Sequence, residues 1–357
     1  MKDEVVTLTS DLVRIDSVAT NPAALAKVLA LAVGRAKGTV ERFERHGFHS
    51  VLIHNRPVRP PHFRILLNGH LDIIPGKASQ LKPRIEGNRL YGLGAMDMKA
   101  SVACLIAVFN EVAPQVSYPL GLQLVTDEEI GGFDGTKYQI EEGVRADFVI
   151  VAESTGLTIE NQMKGILNLT VRATGKAAHG AYPWLGENAI WRLNQFLTAL
   201  HERFPDPAGP AWVTTVNPSS IRTTNSAFNK VPDEAEVDLN IRFVPAESET
   251  VLDVIRALIP AGGELTVHFH EPANYIAPDH PDIIRLSRAV AGLTGESAPL
   301  VAAHGTSDAR HFAPVGCPAI EFGPAGGGMG SDDEWVDIDS LDHFCRIMKD
   351  FLLNLAA

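Results

Sequence analysis

Residues 64–72 read RILLNGHLD, an arginine and a short apolar run that end in a histidine and an aspartate two positions apart. A compact apolar run of this kind reads as a strand buried on both faces, which belongs in a parallel sheet. Working outward, MDMKASVACLIAVFNEVA (96–113) reads as a long, largely apolar helix. GLQLVTDEE (121–129) and DFVIVAES (147–154) repeat the pattern of an apolar strand that ends in acid. Strands and helices alternating in this way predict an α/β domain, a mainly parallel sheet covered by helices on both faces. In such sheets functional residues gather beyond the carboxyl ends of the strands. His70, Asp72, Glu128, Glu129 and Glu153 all stand at such ends. Upstream, helices are expected over about residues 3–16 and 23–47.

Between about 164 and 271 the pattern changes. LNLTVRATG (167–175) alternates with period two, and NAIWRLNQFLTAL (188–200) has helical spacing. WVTTVNPSSIR (212–222) and AEVDLNIRFVP (235–245) read as a strand pair, SETVLDVIRALIP (248–260) as a helix and LTVHFHE (265–271) as a last strand. The order β-α-β-β-α-β is that of a ferredoxin-like α+β module. From 272 mixed elements return, with VGCPAIEFGPA (315–325) as a core strand and SLDHFCRIMKDFLLNL (340–355) as a closing helix. The expectation is a catalytic domain of residues 1–163 and 272–357, interrupted by an inserted domain of residues 164–271.

Composition narrows the function. The 357 residues are 45% hydrophobic and 21% charged, as a folded globular chain requires, and they suit about two domains. No apolar stretch approaches the ~20 residues needed to cross a bilayer. The opening residues, MKDEVVTLTS, mix acids into the first turn and lack the form of a signal peptide. Cys104, Cys317 and Cys345 are three in number and without CxxC spacing, which predicts free thiols and a cytoplasmic setting. A net charge of −12 disfavours nucleic acid and anionic membrane as partners.

Four short segments carry the chemistry. In NGHLDIIP, His70 and Asp72 fall on one face of an extended chain. In LYGLGAMDMKAS, Asp97 stands just ahead of the apolar helix, where an N-cap is the ordinary alternative. VTDEEIGG puts Glu128 and Glu129 in a glycine-rich turn after a buried strand, and VIVAEST ends a strand on Glu153. Taken singly, each favours its ordinary reading, a surface turn, an N-cap or a surface pair of acids. Together, a histidine and several carboxylates form a ligand set for a pair of metal ions, with one carboxylate left over as general base. HExxH, GxSxG and GxxxxGK[ST] are all missing, and the glycine run GPAGGGMG (323–330) has no Lys-Ser or Lys-Thr after it to cradle phosphate.

The series HxD, GxxDMK, DEE and AES, in that order, resembles the dinuclear zinc peptidase and deacylase superfamily. Its members include acetylornithine deacetylase, succinyl-diaminopimelate desuccinylase, aminoacylase and glutamate carboxypeptidase, and the likeness spans nearly the whole chain. The resemblance implies up to two zinc ions per subunit, with cobalt or manganese as alternatives. It also implies a homodimer formed through the inserted domain, which would act as lid and dimerisation module. By the same resemblance His70 and Glu153 are ligands of the first metal, Asp97 bridges, and Glu129 is a ligand of the second. Glu128 is the general base and Asp72 orients His70. In KAAHGAYPWLGENAI (176–190), His179 is similar to a histidine that reaches the partner subunit's site and supports the oxyanion. In SAFNKVPDEAEVDLNIRF (226–243), Asn229 and Arg242 resemble substrate-binding residues, with Arg242 suited to a bidentate grip on a carboxylate. Gly305 and Thr306, in HGTSDARHF (304–312), resemble a substrate-contacting segment.

The implied activity is hydrolysis of the amide bond of a small-molecule N-acyl amino acid, or of a short peptide, by a metal-activated water. Ile166, after Lys164 and Gly165, replaces the polar residue expected for a succinyl carboxylate and leans toward acetyl or another short acyl group. One departure stands out. The family's last ligand is a histidine four residues before a glutamate, and in GGGMGSDDEWV (326–336) that position is Gly330. Asp332, Asp333 and His343 lie nearby in sequence but out of place. A reduced or inactivated enzyme is therefore one expectation. An aminopeptidase or dipeptidase on the same site, and a non-catalytic binding protein on a hydrolase scaffold, are the alternatives.

Overall fold

The computed structural model describes residues 1–355 and divides into two compact units. The first comprises Met1–Asn161, Ile276–Val301 and Ser307–Ala357. At its centre, strands Leu120–Val125, Ile65–His70, Val149–Val151 and Ala319–Glu321 run side by side and parallel. Every residue of these four strands is buried, which explains their largely apolar character. Helix Ala100–Val112 packs on strands Ile65–His70 and Leu120–Val125. All of its residues but Asn110 and Glu111 are buried, and it packs against helices Lys2–Val13 and Ile338–Leu353.

The expected helix over 23–47 is shorter. It runs from Pro22 to Arg35, with Asn21 Oδ1 accepting from the Ala24 amide at 3.3 Å and proline in its first turn. The chain then forms an antiparallel hairpin, Thr39–Arg45 with Phe48–His54, on the flank of the parallel strands. Its turn places His46 and Gly47 at φ 50° and 86°, the mirror-image turn that matches strand twist. Thr39–Arg45 is an edge strand in which only Phe43 is buried, and its charges blunt the open edge. That charged sequence carries no alternation, so a helix and a strand look alike in it.

The second unit comprises Gln162–Tyr275 and Ala302–Thr306. Its sheet has the order Thr215–Arg222, Glu234–Phe243, Gly165–Thr174, Glu264–Glu271, antiparallel throughout. Glu234–Phe243 alternates strictly between half-buried and buried residues. The buried set, with Val237, Leu239 and Ile241, packs on Leu193, Phe196 and Leu200 of helix Ala189–Arg203 and on Ile255 of helix Val251–Leu258. With the helices in chain order this is the ferredoxin-like β-α-β-β-α-β arrangement. The segment carrying Gly305 and Thr306 groups with this unit, not with the domain on either side of it in sequence. Among the described residues no helix is long and apolar enough to cross a membrane, and the three cysteines are free and buried.

Candidate metal centre

Three side chains meet beyond the central strands. His70 ends strand Ile65–His70, Glu153 follows strand Val149–Val151 by two residues, and Asp97 lies in the turn Ala95–Lys99 that leads into helix Ala100–Val112. Their ligand atoms all lie within 4.8 Å of one another. His70 Nε2 is 2.9 Å from Asp97 Oδ1 and 3.8 Å from Glu153 Oε1. Its other nitrogen, Nδ1, faces the Asp72 backbone carbonyl at 3.1 Å and Asp72 Oδ1 at 3.5 Å. One ring nitrogen is thus held by Asp72, chiefly through its backbone, and the other is aimed at two carboxylates. Burial disfavours the imidazolium, yet Asp72 and Asp97 together hold the His70 pKa well above its ordinary value. Burial and the neighbouring Asp97 push the Glu153 carboxyl well up, with His70 opposing. An imidazole nitrogen and two carboxylates facing one another in a buried corner form a donor set that fits a divalent metal.

Asp97 owes its position to a residue far away in sequence. Glu334 Oε1 accepts from the amides of Met96 at 2.8 Å and Asp97 at 3.1 Å, and its Oε2 accepts from Gly94 at 3.2 Å. A buried carboxylate thereby organises a turn whose backbone is not helical at Asp97 or Met98. The Asp97–Met98 peptide bond is cis. Beside it, Glu128 and Glu129 open a short 3-10 turn, Glu128–Ile130, directly after strand Leu120–Val125. Asp72 Oδ2 accepts from the Glu129 amide at 2.9 Å, so the HxD strand end and the DEE turn are physically tied. Burial pushes Glu129 up to about 7, with His70 opposing and Asp97 and Asp72 adding to the rise. Burial also raises Glu128 well above the usual carboxylate range.

The profile of peptidase family M20/M25/M40 matches residues 66–354. The chain belongs to that family. It is 32% identical over 362 residues to a succinyl-diaminopimelate desuccinylase of Acidiphilium cryptum (strain JF-5), covering 96% of each chain. In fold it is similar to the aminopeptidase PepT of Bacillus cereus, with a TM-score of 0.82, 19% identity and coverage of 99% of this chain and 98% of that one. It is also similar to the Bacillus subtilis YXEP protein, a dinuclear metal-binding peptidase from family M20, with a TM-score of 0.72, 14% identity and coverage of 99% and 97%. As an M20 member with desuccinylase relatives, the chain is a metallo-hydrolase of amide bonds.

Gly330 faces a cavity of about 220 Å³ that Asp97, Glu129, Met329 and Glu334 also line. A Cβ built on it would meet only Ile74 Cδ1, at 3.6 Å, so there is room for a side chain. Its φ is +71°, however, in the left-handed region that favours glycine. Both aspartates of the same turn have other partners. Asp332 is engaged by Lys77, Asp333 lies 3.4 Å from Arg84, and both are exposed. His343 is exposed on the closing helix. Among the described residues, then, this M20 chain gathers three side chains that could hold a metal in one corner, and no histidine lines the cavity beside Glu129.

The remaining candidates lie in the inserted unit and form two groups. His179 pairs in register with Lys230, and the Gly180 amide donates to the Asn229 carbonyl at 2.6 Å, which sets His179 and Asn229 side by side. Arg242 lies opposite Ile166 in the sheet and close enough to Lys164 to lower its pKa, a shift led by burial. Thr306 Oγ1 donates to the Lys164 carbonyl at 2.5 Å, which attaches the Gly305–Thr306 segment to the same strand end. The motifs assign no role to Lys164, Glu334 or Asp308–His311 themselves, although each lies in or near a quoted segment. For Lys164 the signal was a lysine next to a glycine at the start of a strand. Glu334 and Asp308–His311 act only through contacts from distant chain segments.

Proposed function

We propose that this M20 chain removes a short N-acyl group from a small amino acid, with one metal held tightly by His70, Asp97 and Glu153. The single observation behind this reading is the convergence of those three donors next to the Glu128–Glu129 turn. The full-length similarity to a desuccinylase supports an acylated amine over a free peptide. Zinc is the first choice for one nitrogen and two oxygens at this spacing. The metal would supply Lewis acidity to the scissile carbonyl and ease deprotonation of the attacking water.

The chain's own residues do the rest. Glu128 accepts the proton of the attacking water and returns it to the leaving nitrogen. Asp72 keeps His70 in its working orientation, and Glu129 is the remaining carboxylate for a second, weakly held ion. Arg242 and Asn229 bind the substrate carboxylate, and Lys164 adds a second cation to that role. Gly305 and Thr306 border the substrate, and Ile166 offers an apolar contact that suits acetyl better than succinyl. The inserted unit acts as lid and as the surface of a homodimer, with His179 serving the oxyanion of the partner subunit. Exposed Tyr182, Trp184, Leu185 and Trp191 on that unit support a buried dimer surface.

The test is a substrate panel run on metal-loaded protein: N-acetyl amino acids, N-succinyl amino acids and free dipeptides. Release of amino acid mainly from the acetylated substrates is expected. Preferential cleavage of dipeptides would replace this reading with a peptidase. Binding of all three without turnover would make the chain a binding protein on a hydrolase scaffold.

A further inference from the structure

Beneath the Glu128–Glu129 turn lies a buried polar layer to which the catalytic scheme above gives no part. The short 3-10 helix Asp308–His311 is buried at all four positions. Arg310 Nη2 donates to the Gly131 carbonyl at 2.6 Å, and the His311 imidazole meets the same oxygen through Nε2 at 2.9 Å. A carbonyl only accepts, so Nε2 carries the proton. Burial, reinforced by the Arg310 charge, pushes the His311 pKa down to about 3, so the ring is neutral. Arg310 Nη1 donates to the Ser307 carbonyl at 2.7 Å, which spreads the guanidinium between its own turn and Gly131. Gly131 in turn donates its amide to the Glu128 carbonyl at 2.7 Å, closing the 3-10 turn.

The two segments are pressed together. A Cβ on Gly132 would fall 1.9 Å from Asp308 Oδ1 and 3.1 Å from His311 Nε2, so only glycine fits there. Asp308 is anchored from the other side, its Oδ2 accepting from Thr136 Oγ1 at 2.5 Å. Thr136 Oγ1 accepts from Asn68 Nδ2 at 3.0 Å, on the strand that ends in His70. The polar layer therefore runs from the His70 strand to the carbonyl that closes the Glu128 turn.

We propose that Arg310 and His311 are positioning residues for Glu128, a two-donor clamp on the Gly131 carbonyl that fixes where the general base sits. The inference rests on the hydrolase reading of Glu128. Two converging donors, one of them a guanidinium, hold a carbonyl far more firmly than the single bond usual in a surface turn. A base displaced by about 1 Å costs on the order of 10²-fold in rate.

The test uses the full-length, metal-loaded protein. Arg310→Ala is expected to lower kcat about 10²-fold with KM and metal content nearly unchanged. It should also speed hydrogen exchange of the amides in residues 128–132, and there alone. Arg310→Lys, which keeps the charge but not the fork, should recover part of kcat. Should Arg310→Ala fail to fold, His311→Leu and His311→Gln carry the test. Leucine removes the donor and should cost about fivefold in kcat, and glutamine, whose amide can donate, should restore it. A folded Arg310→Ala protein with wild-type kcat and wild-type exchange in the turn would overturn the clamp, as would His311→Leu and His311→Gln proteins that behave alike. If the unmodified protein hydrolyses no acyl amino acid and no dipeptide, the functional reading fails, and exchange in the turn alone decides whether the clamp exists.

Discussion

Two corners of one crevice, which share Asp97, are built to different standards. In the corner of His70, Asp97 and Glu153, each donor is fixed by something else: Asp72 behind the imidazole, Glu334 under the Asp97 turn, and a buried strand leading into Glu153. In the corner of Glu129 the carboxylate is tied through its own amide to Asp72, but across the cavity stands Gly330, with nothing beyond its Cα. Strand ends provide ligands at fixed points, because neighbouring strands hold their register. A ligand on a loop depends on one residue at one place in the turn, and a single change there removes it. The cavity, the glutamate that accepts from the Asp97 turn and the Glu128–Glu129 turn all surround Gly330 in ordered form.

The harshest way to break this comparison is to remove what both corners would serve. Glu128→Gln should lower kcat by about 10²–10⁴-fold with metal content and fold unchanged. Turnover is followed by amino-acid release and metal by elemental analysis. Loss of metal from Glu128→Gln, with Glu129→Gln retaining it, would exchange the two roles.

Next in size is a pH effect on the clamp behind Glu128. His311 in the folded protein has a pKa of about 3, well under the ordinary value of 6.5. Below pH 6.5 the unfolded chain binds a proton that the native ring refuses until about pH 3, so the unfolded state is favoured as acid is added. The stabilisation from the neutral ring is complete above pH 6.5 and is lost as pH falls toward 3. The slope is up to about 1.4 kcal/mol per pH unit. Urea midpoints of wild type and His311→Gln, measured from pH 7 down to pH 4, should converge with acid. Parallel curves would mean that the ring titrates normally.

A third effect addresses the corners directly. Mild dialysis should leave about one metal per chain, and His70→Ala should lower retention of that ion by at least 10–100-fold. Gly330→His should raise affinity for a second ion by a similar factor, because an imidazole there would share a cavity with Glu129. Calorimetric titration of zinc reads both. Two tightly held ions in the unmodified protein would count against the ligand assignment.

How much of this was legible follows from where the information lies. The buried strands, the separate elements of the inserted β-α-β-β-α-β unit and the strand-end acids are local patterns, each legible within a short stretch of chain. The hairpin over 39–54 was hidden because its edge strand has only Phe43 to bury. Glu334 was visible only as the residue from which to count back to Gly330, and its hold on the amides of residues 94–97 is a contact across 240 positions at its longest. Arg310 and His311 look like a polar loop in sequence, since nothing in SDARH announces that Gly131 lies above it. Which aspartate atom steadies His70 is likewise a matter of backbone geometry that HxD does not specify.

The smallest effect separates two reasons for a glycine at 330. If Gly330 stands there only for its backbone, any residue with a Cβ should be resisted; if it stands there as an empty ligand place, the cost should depend on the side chain. At φ +71° an ordinary L-residue pays about 1–2 kcal/mol, while histidine and asparagine enter this region more readily than alanine. The built Cβ meets only Ile74 Cδ1 at ordinary contact distance, so sterics add nothing. Gly330→Ala should therefore lose about 1 kcal/mol of stability with no change in metal binding. Gly330→Asn should lose less, and Gly330→His should recover its loss when zinc is added. Thermal midpoints with and without zinc distinguish the cases. A loss of the same size in all three variants, indifferent to zinc, would show that this corner keeps its glycine for the turn alone and that the second site is closed to repair.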